Sequence, residues 1–199
     1  MATNDLRKRA NWQALSGAKA AGAEISFYDA FTEAFKGTDF KIRSKPRDFK
    51  DIYVGVELPL ELLAQTYKPD RAYSHGVAPD YAIDNAKTGK TLYVEVKRQD
   101  GWVEGKDPSA GRGNAHERSC KFFTPGLSKI LQEKGKLGSQ VLPFWVVYQG
   151  DIARDPKRTR EITLWFQGVE DHYFMWADSR NPDPLITHFE KKLMPFLVK

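Results

Sequence analysis

Apolar positions along the chain follow two periods. Phe27, Tyr28, Phe31, Ala34 and Phe35 recur at helical spacing and Gly37 follows, which predicts a helix over 26–36. Phe40 and Ile42 alternate with Asp39, Lys41 and Arg43, the period of a short strand. Glu57 to Gln65 reads as a second helix with Leu58, Leu62 and Leu63 on one face, and the turn-rich stretch Thr66 to Pro79 predicts a loop. A hairpin comes next. Tyr81-Ala82-Ile83 forms one arm, Asn85 to Lys90 holds the turn with Gly89, and Thr91 to Lys97 forms the other arm. In the second arm Leu92, Val94 and Val96 share one face, and Tyr93, Glu95 and Lys97 share the other.

Residues 99–113 hold four glycines and a proline and predict a long loop, of a length that is usually functional. Asn114 caps a helical stretch from Ala115 to about Phe123, Pro125 interrupts it, and Gly126 to Lys134 resumes as helix. Val141 to Tyr148 is almost wholly apolar, as a strand buried on both faces should be. Asp155-Pro156 combines an N-cap with proline at the first helical position and opens a helix to about Phe166. Tyr173 to Trp176 predicts a further strand, and Pro184 to Leu197 a C-terminal amphipathic helix. Strands and helices interleave, so the expected class is α/β with a central mixed sheet flanked by helices.

The 199 residues, with no repeats or linker-like tracts, are expected to form one domain spanning 1–199. Hydrophobic residues at 41% and charged residues at 29% exclude a disordered chain. No apolar run approaches a membrane span, and no apolar stretch follows Arg7-Lys8-Arg9, so neither a transmembrane helix nor a secretory signal is expected. A single cysteine, Cys120, leaves no internal disulfide or multi-cysteine zinc site. A soluble cytoplasmic protein with a reduced thiol is the expectation.

The net charge of +5 is mild, but a pI near 9.2 lies on the side favoured by nucleic-acid binders. The positive charge is local. Lys41, Arg43, Lys45, Arg47 and Lys50 surround only Asp48, and Arg154, Lys157, Arg158 and Arg160 surround Asp155. Either cluster reads equally as a solvated face.

The common nucleotide and hydrolase signatures fail. Gly17 and Gly22 have phosphate-loop spacing, but Ala23-Glu24 follow where Lys-Ser/Thr is needed, and Gly111-Arg112-Gly113 lacks a third glycine. His75, His116, His172 and His188 stand at no zinc-ligand spacing. There is no Gly-x-Ser-x-Gly elbow. One constellation survives. Pro79-Asp80 precedes the hairpin, and Glu95-Val96-Lys97 lies in its second arm, with fourteen residues between Asp80 and Glu95. That gap is enough to run up one strand, turn and return, bringing Asp80 and Glu95 together with Lys97 on the face of Glu95. Two carboxylates make a hard-oxygen site suited to Mg²⁺, and a lysine beside them can stabilise charge developing on a phosphate. An exposed hairpin with acids and bases paired across strands would give the same pattern.

The stretch 97–121 is rich in side chains that read base edges in the major groove. Asn pairs with adenine, Arg with guanine, and Ala touches a thymine methyl. Gly111 and Gly113 permit close backbone approach, and Asn114, Ala115 and Arg118 cluster at one helix N-terminus. An Asn114–Arg118 pair on a capped helix is the plainer reading of the same residues.

With these motifs the sequence resembles the type II restriction endonucleases of the PD-(D/E)xK class, EcoRI group, and most closely the members that cut CAATTG. The resemblance runs from Asn11-Trp12-Gln13-Ala14-Leu15 to Phe174-Met175-Trp176. It is most specific in 97–121 and Leu142 to Val147, and Gly113-Asn114-Ala115-x-Glu117-Arg118-Ser119 is the piece shared with EcoRI. Nothing is carried onto 59–78 or the tail after 177. The resemblance implies a restriction-endonuclease-like fold. It implies Asp80 and Glu95 as metal-binding carboxylates, the Val96 carbonyl as a further metal ligand, and Lys97 as the catalytic lysine. It implies Asn114, Ala115 and Arg118 as readers of the inner AATT, with Gly113 in their loop and Glu117 orienting arginines or linking the recognition elements of two subunits. Arg112 is assigned to the outer C·G pair. The implied enzyme is a homodimer on double-stranded DNA that uses Mg²⁺ and leaves 5′-phosphate ends with AATT overhangs. A cognate methyltransferase is expected in the same cell without physical contact. A repair or junction-resolving nuclease of the same class would share the catalytic core but not the 111–119 readers. A non-catalytic DNA-binding module would bind DNA and leave it intact in Mg²⁺.

Overall fold

The computed structural model describes residues 26–67, 73–101, 103–105 and 116–199. A five-stranded mixed sheet runs through its centre in the order β1-β2-β3-β4-β5. The strands are β1 (Phe40–Ser44), β2 (Tyr81–Asn85), β3 (Lys90–Arg98), β4 (Phe144–Gln149) and β5 (Tyr173–Trp176). β1, β2 and β3 are antiparallel neighbours, whereas β4 lies parallel to β3 and β5 parallel to β4. The hairpin lies where its alternation predicts, and its turn uses Gly89 at φ +68, where a side chain would be strained.

Alternation along the strands sorts the core into two layers. Leu92, Val94 and Val96 of β3 and Trp145 and Val147 of β4 face one cluster. That cluster is closed by Phe27 and Phe31 of α1 (26–34) and by Leu185, Phe189, Leu193 and Leu197 near the C-terminus. Tyr93 of β3 and Phe144, Val146 and Tyr148 of β4 face the other layer. It is closed by Phe122, by Leu127 and Leu131 of α3 (Pro125–Gly135), and by Ile162 of α4 (Pro156–Trp165). β4 is buried at every position, because its odd and even residues serve different layers. Each fully buried Phe or Leu contributes about 1.5–3 kcal/mol by area.

Two helix ends follow the sequence. The Asp155 side chain accepts the Lys157 N–H at 3.0 Å, capping α4, and Pro156 sits at its first position. Thr124 precedes Pro125 at the start of α3. Three expectations need correction. The helix drawn over Glu57 to Gln65 is only α2 (Leu60–Gln65), and none of its residues is buried. Its leucines have the spacing of an apolar face, but they are exposed. The stretch after residue 115 is a 3₁₀ helix, His116–Phe123, not an α-helix. The C-terminal helix is continuous but not uniform: α5 (Asp183–His188), a π turn over Phe189–Leu193 and α6 (Met194–Val198). Pro195 has no N–H to continue an α ladder, and the wider turn before it accommodates that loss. No helix among the described residues is long and apolar enough to cross a membrane.

Candidate active site

The register of β2 and β3 sets Tyr81 opposite Val94, so Asp80 comes off the end of β2 beside Glu95. Asp80 and Glu95 are only 7% and 5% exposed. Asp80 Oδ2 accepts the Val96 backbone N–H at 2.8 Å. Lys97 Nζ lies 2.5 Å from Glu95 Oε1 and 3.6 Å from Asp80 Oδ2. It also donates to the Val96 carbonyl at 3.5 Å. Period-two alternation explains the grouping: Glu95 and Lys97 leave β3 on the same face, and Asp80 reaches across from the neighbouring strand.

A fourth charged group completes the site. Lys45, next after β1, donates from Nζ to Asp80 Oδ1 at 3.0 Å and from its backbone N–H to the Asp80 carbonyl at 2.9 Å. Beside it, Arg43 bridges Asp48 and Asp84, and Tyr93 donates to Asp48 at 3.0 Å. These partners hold the Asp48 carboxyl below its usual range, chiefly through the Arg43 hydrogen bond, and tie β1 to β2 and β3.

The electrostatics of Glu95 differ from those of a surface carboxylate. Burial pushes its carboxyl above the ordinary range; Lys97 opposes that shift and Asp80 reinforces it. Glu95 Oε2 is buried and has no hydrogen-bond partner among the described residues. An unpartnered buried carboxylate oxygen beside a second carboxylate suits a hard cation. The donor set available is Asp80, Glu95 and the Val96 carbonyl. This all-oxygen set suits Mg²⁺, which keeps several waters of its own, and contains no nitrogen or sulfur ligand of the kind zinc prefers.

Three comparisons with known proteins bear on this site. The family described as type II restriction enzyme MunI matches residues 1–198. The type II restriction enzyme MunI of a Mycoplasma species is 50% identical over 201 aligned residues, covering 99% of this chain and 100% of that protein. This chain belongs to the MunI family of type II restriction enzymes. A crystal structure of MunI restriction endonuclease in complex with cognate DNA superposes with a TM-score of 0.81 at 50% identity, covering 94% of this chain and 97% of that one. The α/β restriction-endonuclease-like fold expected from the sequence is therefore the fold of this MunI-family enzyme, a type II restriction endonuclease.

Within this MunI-family chain, Asp80, Glu95, Val96 and Lys97 come together as their spacing predicts. Glu117 and Arg118 are exposed on the 3₁₀ helix. Ser119 anchors that helix: its hydroxyl donates to the His116 carbonyl at 2.6 Å and lies 3.1 Å from the Tyr148 hydroxyl. Tyr148 is the register partner of Lys97, so the helix carrying Glu117 and Arg118 is fastened one strand away from Lys97. Lys121 of the same helix adds a favourable charge interaction with Glu95. His116 is fully buried and stacks on Trp165 at 5.4 Å. Arg112, Gly113, Asn114 and Ala115 lie outside the described residues. Cys120 is exposed, and its thiol is pushed above the usual range by desolvation and by Glu117, so little of it is thiolate at neutral pH.

Sequence reasoning missed Lys45 and Lys121. Lys45 lay in view as one member of the basic run 41–50, but only the pairing of β1 with β2 reveals which of those residues meets Asp80.

Proposed function

We propose that this chain, as one domain over residues 1–199, works as a homodimeric, Mg²⁺-dependent endonuclease. It cuts both strands of duplex DNA at the palindrome CAATTG and leaves 5′-phosphate ends with AATT overhangs. The observation that carries the chemistry is the convergence of Asp80, Glu95 and Lys97, with one buried carboxylate oxygen left unpartnered. The choice of CAATTG rests on the sequence resemblance to the enzymes that cut it.

Asp80, Glu95 and the Val96 carbonyl would hold the metal. When bound, Mg²⁺ supplies positive charge to phosphate oxygens and acidifies water beside it. Lys97 stands between the carboxylates and presents its ammonium where negative charge builds on the attacked phosphate. The water oxygen forms a bond to phosphorus as the bond to the 3′-oxygen breaks. The water gives up a proton as it attacks, the leaving 3′-oxygen takes one up to become a hydroxyl, and the phosphate stays on the 5′ end. The Asp80–Val96 hydrogen bond keeps one carboxylate fixed during this exchange, so little reorganisation is needed.

Arg118 and Asn114, with Ala115, are assigned to the inner AATT, Gly113 to close backbone approach, and Glu117 to orienting arginines or linking two subunits. Arg112 is assigned to the outer C·G pair. The protein acts in the cytoplasm, beside a cognate methyltransferase that it does not touch. Digestion of a sequenced plasmid with and without Mg²⁺, followed by sequencing of the ends, tests the reading. Discrete fragments ending in AATT overhangs at CAATTG are expected. Sequence-independent nicking, or DNA bound but uncut in Mg²⁺, rejects it.

A further inference from the structure

We propose that Lys45 competes with the divalent cation for Asp80 and gives way to it when DNA offers the lysine another anion; the inference rests on Asp80 being a metal ligand. The contact is built by the fold. Ser44 pairs with Tyr81 at the end of the β1–β2 ladder, so the next residues, Lys45 and Asp80, face each other. Lys45 then holds Asp80 at two points, from backbone N–H to carbonyl and from Nζ to Oδ1. Its backbone has φ +46, a left-handed conformation that residues with a Cβ avoid, and Pro46 follows it. Strain of this kind persists only where surrounding contacts enforce it.

Charge shows why the contact competes. In formal charges, Asp80 and Glu95 are balanced by Lys45 and Lys97. A divalent cation on Asp80 adds two positive charges next to both ammonium groups, and like charges at such range repel. The two lysines are not equivalent. The Lys97 side chain is 14% exposed and wedged between both carboxylates, whereas that of Lys45 is 56% exposed and touches Asp80 from the solvent side. Lys45 can therefore swing away towards solvent on its flexible stem, and a cation on Asp80 would take its place there. A DNA phosphate near the site would stabilise the displaced ammonium, so DNA binding would raise metal affinity and metal binding would raise DNA affinity by the same factor. In this scheme Lys45 is a positioning residue that acts through Asp80, and it makes metal loading depend on DNA.

The test is Mn²⁺ binding to the EDTA-treated full-length protein, followed by electron paramagnetic resonance of the free ion. Lys45→Met and Lys45→Gln should each bind Mn²⁺ ~10-fold more tightly than wild type, the order expected for removing one adjacent positive charge. Lys45→Arg should resemble wild type. If Lys45 only braces Asp80, the neutral variants will bind Mn²⁺ more weakly. Circular dichroism melts identify any variant that fails to fold, and the two neutral variants are independent of each other. Affinity no tighter than wild type in both neutral variants, including no detectable binding by either, overturns the proposal. Asp80→Asn separates this failure from that of the cleavage site. Loss of Mn²⁺ binding in Asp80→Asn with unchanged Lys45 variants rejects only the role of Lys45. Wild-type Mn²⁺ affinity in Asp80→Asn rejects Asp80 as a ligand.

Discussion

Asp80 accepts a hydrogen bond from the backbone N–H of Val96, the residue between Glu95 and Lys97. One carboxylate is thus fixed to the strand that carries the other two side chains of the candidate site, Glu95 and Lys97. The spacing among the three groups is set by the hairpin and not by free side-chain rotation.

This relationship makes both carboxylates open to test by substitution. Asp80→Ala and Glu95→Gln should each abolish cleavage, because each removes a proposed charged ligand of the cation. DNA binding should survive, and without metal it should tighten, since one negative group fewer faces the phosphate. Single-turnover cleavage and gel shifts in EDTA check both halves, and cleavage near the wild-type rate contradicts the site.

Glu95 also predicts a dependence of stability on pH. Its carboxyl is raised in the folded protein, so between its ordinary value of 4.5 and the raised one the folded state holds more proton than the unfolded. Stability from this group therefore falls as pH rises through that window and stays low above it. Glu95→Gln mimics the protonated form. Its melting temperature should exceed that of wild type at pH 8, and the difference should vanish below the ordinary carboxylate range. Melts of both proteins across pH measure this, and a variant less stable than wild type at pH 8 goes against it.

Lys97→Ala should slow the chemical step by ~10²–10³, the scale of losing one charge-stabilising donor. Lys97→Arg should recover only part, because a planar guanidinium does not fit a pocket shaped for a compact ammonium. Single-turnover rates at saturating Mg²⁺ decide it; an unchanged rate in Lys97→Ala excludes the assigned role.

A palindromic site is most simply read by a two-fold dimer, each subunit taking a half-site. Two 22.7 kDa chains should therefore bind one duplex, giving a complex of about 45 kDa of protein plus the mass of the DNA. Light scattering of the protein and of its DNA complex measures this. A complex of one chain per duplex that cuts both strands counts against assembly in pairs.

Specificity should divide between two arginines. Arg112→Ala should relax preference at the outer base pair, since an arginine–guanine contact carries ~1–3 kcal/mol of discrimination. Arg118→Ala should damage recognition of the inner four bases. If Arg112 instead clamps a phosphate, its loss weakens all sequences alike and flattens the salt dependence. Cleavage of oligonucleotides varied only at the outer pair distinguishes the two outcomes.

Much of the site was legible because strand alternation is a local signal. Glu95 and Lys97 share a face by being two apart, and the length of the Asp80-to-Glu95 gap matches a tight hairpin. β4 was legible because a run buried on both faces has almost no polar residues. Lys45 was not, because its meeting with Asp80 depends on how β1 pairs with a strand about forty residues later. Neither was the exposure of Leu60, Leu62 and Leu63, since spacing predicts an apolar face but not what covers it. The 3₁₀ form of His116–Phe123 was equally hidden: Ser119 bonds the His116 carbonyl, a competition with the backbone that composition alone does not reveal.

Parallel pairing of β3 with β4 has a consequence for how such an enzyme changes its target. Adjacent parallel strands need a long connection, and here everything from Gln99 to Pro143 is one excursion between neighbouring strands. The proposed readers, Arg112 to Arg118, lie within it, while Asp80, Glu95 and Lys97 lie before it. Phe122, Leu127 and Leu131 of that excursion belong to the core, so changes that spare them leave both anchoring strands in place, and added length carries only a slowly growing entropic cost. Cutting chemistry and target choice can therefore diverge at different rates along one chain.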